Sequence, residues 1–556
     1  MNWSRTPRID YDGTRTPLKT ALFVVLCLAW IVPGLVGHDP WKIDEAIVFG
    51  MVADLVRGGD WLTFHIAGEA TFGRAPLFVW TAALFGKALG GLMPLHDAAR
   101  LAAGFYMALT ALLLSAACQA LMGERAVRMG VLLFLGSIGL LFRAHELNTD
   151  LAGLSGVAMS LYGLALALRR PALGGAVLGV GIGFAFLGDG FLSAGMVLAL
   201  LLLLPLAGLA WRGRAYGRTA AVALACAVPL LAAWPLALYL ADPGLLHAWL
   251  LNAGVGGVGD PIWPSGIADL VYYARLLPWY AWPAWPLAAW SLWRARRVLT
   301  ERNDLLLPLT AFLVFFISVS IFGGSRDVNA LPLLLPLAML GVAELESVPR
   351  GAASALDWFG MTTFFLFATL LWIGWAAALT GSPEFAVKWI QREVPGFQYG
   401  FRFLAFALAS LLTLVWLVVV ARSLRSTRRA VVNWAAGITM VWMLMMTLGV
   451  PLVDQARSYR VVASKIVENL PADFTCVARE PNLGDAQRAL LDYFVALRTV
   501  PVEWPIARRC RALLAQGSSR APDAAPPGWR ETWRGSRPGD RHEHFVLYQR
   551  LGSDPN

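Results

Sequence analysis

A chain of 556 residues that is 58% apolar and 15% charged departs from soluble globular composition, in which about a quarter of residues carry charge. With a mean hydropathy of +0.59 and repeated apolar runs of spanning length, this excludes an ordinary soluble enzyme and predicts a polytopic helical membrane protein. The net charge of +10 is spread as arginines through short loops rather than gathered in one basic stripe, so it reads as a topology signal and argues against nucleic acid as a partner.

The chain opens on a basic polar tail (Arg5, Arg8, Arg15, Lys19) and an apolar run without an A-x-A-like cleavage site, which predicts a retained first helix rather than a removed signal peptide. About thirteen runs are predicted to span, over 18–35, 98–121, 127–141, 151–168, 172–187, 191–209, 220–240, 270–292, 305–322, 330–342, 358–379, 403–420 and 431–448. With the N-terminus inside, alternate loops are basic: Arg125 and Arg128; Arg169-Arg170; Arg212, Arg214 and Arg218; Arg294, Arg296, Arg297 and Arg302; Arg422, Arg425, Arg428 and Arg429. This holds if the short apolar stretch 76–89 does not cross, so that 41–97 is one external loop with interfacial helices. An odd number of spans then places the region from 454 onward outside as well. Residues 1–453 form the expected membrane domain and 454–556 a small external α/β domain, with an amphipathic helix at 458–470, strands at 476–478, 497–502 and 544–551, and a linker or mobile loop at 518–527.

Cys27, Cys118 and Cys226 fall in apolar runs and read as small core hydrophobes. Cys476 and Cys510 lie in the external domain, where either a disulfide or two free thiols is open. The 24 tryptophans suit membrane interfaces and sugar-stacking surfaces equally.

Ionisable residues gather at the outer ends of spans: Asp44, Glu45, His65, Glu69, Arg74, Arg143, His145, Glu146, Asp150, Asp189, Arg275, Arg326 and Asp327. Charge at that depth faces a cavity or another charge and points to a functional site. Carboxylates beside arginines suit a general base with a phosphate clamp. Each has a plainer reading. Asp44-Glu45 suits the start of an interfacial helix, Asn148-Thr149-Asp150 a helix start, Gly188-Asp189-Gly190 a tight turn and Arg326-Asp327 a neutralised pair. His65 and His247 lack partners at ligand spacing, so no metal site is assigned and a divalent metal is left open.

In order and topology these segments resemble the bacterial ArnT-like glycosyltransferases of the GT-C class, relatives of the protein O-mannosyltransferases. The family's first loop runs D-E-A-R-Y, then G-D-W, then G-x-x-Y/F-x-E-K-P-P-L-x-x-W. Here it reads Asp44-Glu45-Ala46-Ile47-Val48, then Gly59-Asp60-Trp61, then Gly68 through Phe72, Gly73-Arg74-Ala75-Pro76-Leu77 and Trp80. Ala99-Arg100-Leu101, Thr149-Asp150, Gly183 to Leu187 and Ser325-Arg326 with Leu331-Pro332 and Leu335-Pro336 continue the match. The resemblance implies about thirteen spans with an outer C-terminal domain, in a bacterial inner membrane. It also implies inverting transfer of a sugar from a polyprenyl-phosphate carrier to a lipid (lipid A), glycan or protein acceptor at the outer face, with membrane lipids as surroundings and no certain cofactor. Asp44 is then the catalytic base, Asp150 its support and Glu45 the residue that orients the loop. Arg74, Arg143 and Arg326 hold phosphate, with Glu69 and Asn329 on the substrate side. The departures are specific. The E-K of the first loop is Gly73-Arg74, the T-K-G lysine is Asp189, and no tyrosine follows Arg326. A catalytically altered relative that binds the lipid carrier without turnover is therefore the second expectation. A transporter is a third, for which no clear internal repeat is found.

Overall fold

The computed structural model describes residues 17–41, 43–254, 267–422, 427–472, 474–518, 525–540 and 542–551. Arg5, Arg8, Arg15 and Arg425 of the charge pattern, and most of the 518–527 linker, lie outside them.

After α1 (Pro17–Ile31), a long segment holds α2 (Asp44–Val56), the hairpin of β1 (Phe64–Ile66) and β2 (Glu69–Thr71), and α3 (Pro76–Leu89). The bundle continues through α4 (Leu95–Met122), α5 (Glu124–Leu135), the single turn α6 (Leu140–Arg143), α7 (Asp150–Ala167), α8 (Pro171–Asp189) and α9 (Phe191–Ala207). Next come α10 (Arg214–Ala241), α11 (Pro243–Trp249), α12 (Ile267–Tyr280), α13 (Ala284–Ala295), α14 (Asn303–Phe322) and α15 (Leu331–Ala343). The last helices of the bundle are α16 (Arg350–Thr380), the short α17 (Glu384–Glu393), α18 (Phe403–Arg422), α19 (Thr427–Leu444) and α20 (Val450–Arg457).

Among the described residues eight helices are long and apolar enough to cross a membrane, and α1, α3, α9 and α15 are shorter apolar helices. The run expected to be one helix over 270–292 is two, α12 and α13, broken at residues 281–283. Pro283 has no N–H to continue the helical ladder there. Helices α7 and α8 pack closest because glycine lines both. A Cβ on Gly156 would lie 2.3 Å from the Ala185 nitrogen, and one on Gly188 2.3 Å from the Gly153 nitrogen. Without a hydrophobic force between helices in lipid, such backbone approach is what holds a pair together. It also brings the ends of α7 and α8 that carry Asp150 and Asp189 side by side. Trp434 and Trp442 of α19 donate to the carbonyls of Gly136 and Pro33, each at 2.8 Å, tying that helix to the loops of the same end.

The C-terminal region combines α21 (Arg460–Glu468) and α22 (Asp485–Val495) with a sheet of β3 (Val477–Arg479), β4 (Thr499–Pro501), β5 (Ala512–Ser518), β6 (Trp529–Gly535) and β7 (Glu543–Arg550). The strand order is β4-β3-β5-β7-β6, parallel around β3 and antiparallel through β7. The amphipathic helix and three strands expected from sequence are present; α22, β5, β6 and the 64–71 hairpin were not anticipated. Cys476 and Cys510 form a disulfide. One face of α22 rests on α2: Gly50 leaves room for Ala489, whose Cβ would be 2.7 Å from a Cβ at Gly50. Ala46 of α2 is buried in the same apolar cluster as Tyr459, Val462, Leu490 and Phe545. The C-terminal region thus supports the helix that begins with Asp44.

Candidate active site

Asp44 is the first residue of α2, and its carboxylate turns away from the helix end to Arg74, whose Nη2 donates to Oδ1. Arg74 comes from the extended residues before Pro76, whose fixed φ starts α3 and lets the preceding chain reach back. Arg326 Nη2 stands 3.8 Å from the same Asp44 oxygen. Burial would raise the Asp44 carboxyl, but Arg74, then Arg326 and Arg143, outweigh it and hold Asp44 below the ordinary carboxylate range.

Arg143, at the end of α6, forms a two-pronged contact with Asp327: Nη2 donates at 2.9 Å to Oδ1 and Nε at 3.2 Å to Oδ2. Its Nη1 donates to Glu146 at 3.4 Å. Glu146 keeps a quarter of its side chain open. Even so, burial, reinforced by Glu45 and Asp44, pushes its carboxyl up to about 7 against the pull of Arg143. Asp150 and Asp189 meet carboxyl to carboxyl at the tops of α7 and α8, and Ser193 donates to Asp189 Oδ2. Arg326 is close enough to act on Asp189 electrostatically. One end of the bundle therefore holds three guanidiniums (Arg74, Arg143, Arg326) and five carboxyls (Asp44, Glu146, Asp150, Asp189, Asp327).

The loop carrying Arg326 is fixed from beneath. Tyr273 donates to the carbonyls of Gly324 (2.6 Å) and Arg326 (3.0 Å), Ser325 donates to Asp269 (2.6 Å), and the Asn329 amide donates to the Gly323 carbonyl. Asn329 thus serves the loop's own backbone. Glu45 is likewise internal. Fully buried Arg100 donates to it at 2.7 Å and to Asp97 at 2.9 Å, and reaches the carbonyls of Leu35 and His38. The Trp41 N–H closes the ring by donating to Glu45 at 2.8 Å. Glu69 is not part of the charge cluster. Its carboxylate is gripped by both Arg479 nitrogens at 2.6 and 2.7 Å and by Arg488 at 2.9 Å, joining β2 to the C-terminal region.

Asp44, Asp150, Arg74, Arg143 and Arg326 are therefore brought together, with Glu45 one residue behind. Sequence reasoning did not single out Tyr273 and Asp269 of α12, because an aromatic or acid near a span end has no spacing signal of its own. Arg100 had one: an arginine in the first turns of an apolar helix requires a buried partner. Among the described residues no group of three or more His, Cys, Asp or Glu is placed to hold a metal ion.

No protein-family model matches the chain. It is 28% identical over 366 residues to undecaprenyl phosphate-alpha-4-amino-4-deoxy-L-arabinose arabinosyl transferase 2 of Pseudomonas fluorescens, covering 61% of this chain and 62% of the relative. It is 29% identical over 330 residues to transferase 1 of the same description from Sodalis glossinidius, covering 57% of each. The matched region spans less than two thirds of these relatives. In three dimensions the chain superposes on the crystal structure of ArnT from Cupriavidus metallidurans bound to undecaprenyl phosphate with a TM-score of 0.65 and 17% identity, over 96% of this chain and 98% of that one. The apo structure of the same protein gives 0.66. The chain is a multi-pass, helical membrane protein with the fold of ArnT.

Proposed function

We propose that this protein is a membrane glycosyltransferase that moves a sugar from a polyprenyl-phosphate carrier to a cell-envelope acceptor at the outer face of the bacterial inner membrane. The observation that carries the reading is Asp44 set between Arg74 and Arg326 at one end of an ArnT-type bundle, with Arg143 beside them. About thirteen spans, a cytoplasmic N-terminus and an external domain from about residue 454 complete it, and the Cys476–Cys510 disulfide suits the oxidising side of the membrane.

The carrier phosphate takes the guanidinium forks, whose planar donors match phosphoryl oxygens. Asp44 is a weak base while Arg74 holds it. Phosphate competing for Arg74 and Arg326 loosens that hold, so Asp44 becomes basic once donor is bound. It then takes the proton of the acceptor hydroxyl, or orients an acceptor phosphate, as the acceptor attacks the anomeric carbon and the carrier phosphate leaves. Asp150 supports this arrangement and Glu45 fixes the loop through Arg100. Inversion follows from a single displacement. Lipid A, polysaccharide and protein hydroxyls all fit as acceptors.

Asp44→Asn keeps the size and removes the base. Consumption of a polyprenyl-phosphate sugar by membranes should fall by about a hundredfold to ten-thousandfold with thermal unfolding unchanged; near-wild-type turnover would remove Asp44 from the mechanism. A second reading, carrier binding without transfer, is favoured by Asp189, a carboxyl paired with Asp150 where the resemblance calls for a lysine. Binding of carrier by the wild type without consumption of any donor supports that reading.

A further inference from the structure

The end of the bundle away from Asp44 holds a cavity of about 440 Å³, lined from the places where α4 and α15 end and α5 and α19 begin. Helix α15 starts beside the Arg326 loop and reaches this cavity after 13 residues, so roughly 20 Å separates it from the charge cluster at 1.5 Å per residue. The volume lies within the range of small-ligand sites, about 300–1,000 Å³.

The floor is apolar, with Met129, Val342 and Leu345 buried in it. Four charged side chains line the rest, two of each sign, and they are unevenly matched. Arg428 Nη2 donates to Glu346, and that pair is self-compensating. Arg125 makes no hydrogen bond or ion pair among the described residues. Glu344 accepts at 3.0 Å from Nη1 of Arg302, whose Nε and Nη2 both go to Asp304, at 2.8 and 2.7 Å. One arginine thus serves two carboxylates. The cavity is left with surplus positive charge at Arg125 and surplus negative charge at Glu344. The acidic side is also fixed in place: the Glu344 N–H donates to Ser291 (3.2 Å), Ser347 donates to the Glu344 carbonyl (2.8 Å), and Trp290 donates to Ser347 (3.0 Å).

A ligand that answers both surpluses carries an anion and a cation a few atoms apart, with a hydrocarbon part for the floor. Phosphate suits Arg125 and the remaining nitrogens of Arg428, because guanidinium donors match phosphoryl oxygens. An ammonium with N–H groups suits Glu344 through charge-assisted hydrogen bonds. A quaternary ammonium has no such N–H and is recognised by aromatic cages, whereas no lining residue here is aromatic. The cavity opens at the ends of apolar helices, where headgroups meet hydrocarbon, and pockets of this kind between membrane helices take lipid headgroups. We infer that it binds the headgroup of an ethanolamine phospholipid, with the phosphate at Arg125 and Arg428 and the ammonium at Glu344. In the orientation proposed above the lipid comes from the inner leaflet, and its site is separate from that of the sugar carrier.

The test adds single lipids to the full chain in detergent and measures their binding by native mass spectrometry. Wild type should bind dioleoyl phosphatidylethanolamine about tenfold more tightly than dioleoyl phosphatidylglycerol or phosphatidylcholine, as expected for one hydrogen bond between charged groups. Arg125→Ala should weaken the ethanolamine and glycerol lipids alike. Glu344→Gln, which keeps an oxygen for Arg302, should weaken the ethanolamine lipid alone and bring it level with the glycerol lipid. Lipid-free thermal unfolding should be unchanged in both variants. Arg125 is exposed and unpaired, so its result decides even where Glu344→Gln is unstable. Equal affinity for the three lipids, a preference for the glycerol lipid, or wild-type affinity in Arg125→Ala overturns the inference. Displacement of the lipid by an equal concentration of water-soluble glycerophosphoethanolamine also overturns it, since the ligand would then be a soluble zwitterion.

Discussion

Glu146 is the residue at which pH should register. Burial, with Glu45 and Asp44 nearby, raises its folded carboxyl to about 7 from an ordinary value of 4.5. The folded state therefore binds a proton that the unfolded state releases between those values. Stability from this group is complete below about pH 4.5 and is lost as pH rises through about 7. Glu146→Gln, which still accepts from Arg143, should abolish that loss. At pH 8 the variant is expected to be more stable than wild type by on the order of 2 kcal/mol, allowing for the part of the side chain open to water. Near pH 4.5 the two should coincide. Thermal unfolding at both pH values checks this, and an equal difference at each would refute it.

Between elements, the contact that matters most is the grip of Arg479 and Arg488 on Glu69. Both arginines are under 10% exposed; losing their shared anion leaves Arg479 a buried cation without a carboxylate, while Arg488 keeps Asp485 at 2.7 Å. Breaking a buried ion pair from one side costs about 3–5 kcal/mol; Glu69 is 26% exposed, which lowers the expectation to about 3 kcal/mol. Glu69→Ala should therefore destabilise the fold and speed proteolysis between the membrane bundle and the C-terminal region, with undecaprenyl phosphate affinity unchanged. If affinity falls while unfolding stays the same, Glu69 serves the ligand as the sequence suggested, and its contact with the arginines is secondary. The same logic explains α2: it is held by α22 from one side and by Arg100 of α4 from the other. Asp44 thus stands on a helix with little freedom to move.

At the scale of the whole molecule, the proposed orientation puts Asp44, Glu146, Asp150, Asp189 and Arg326 on one side and the basic loops on the other. Lys388 of α17 and Arg297 after α13 then face opposite compartments, and both are exposed. Cysteines introduced singly as Lys388→Cys and Arg297→Cys should differ. A membrane-impermeant maleimide should label the first in intact spheroplasts, and the second after permeabilisation. The reverse pattern, or equal labelling, rejects thirteen spans with an internal N-terminus.

Composition and hydropathy determined by themselves that this chain is a helical membrane protein, because burying so many apolar residues in order along the sequence leaves no other use for them. Most expected runs meet helices, but 127–141 is broken between α5 and α6 and 270–292 between α12 and α13, the second being the more instructive. Hydropathy reads apolar length but not the missing N–H of Pro283. Local motif also drew attention to Asp44, Arg74, Asp150 and Arg326, since charge at the rim of an apolar run is unfavourable without a partner. Which partner each charge takes was decided by tertiary structure alone. Glu69 and Arg479 are 410 residues apart in sequence, Arg143 and Asp327 are 184 apart, and no spacing rule reaches across such distances. The meeting of Asp150 with Asp189 depends on glycines that let two backbones touch. Periodicity and composition report what a segment buries; the pairing of charges is set by where the packed helices end.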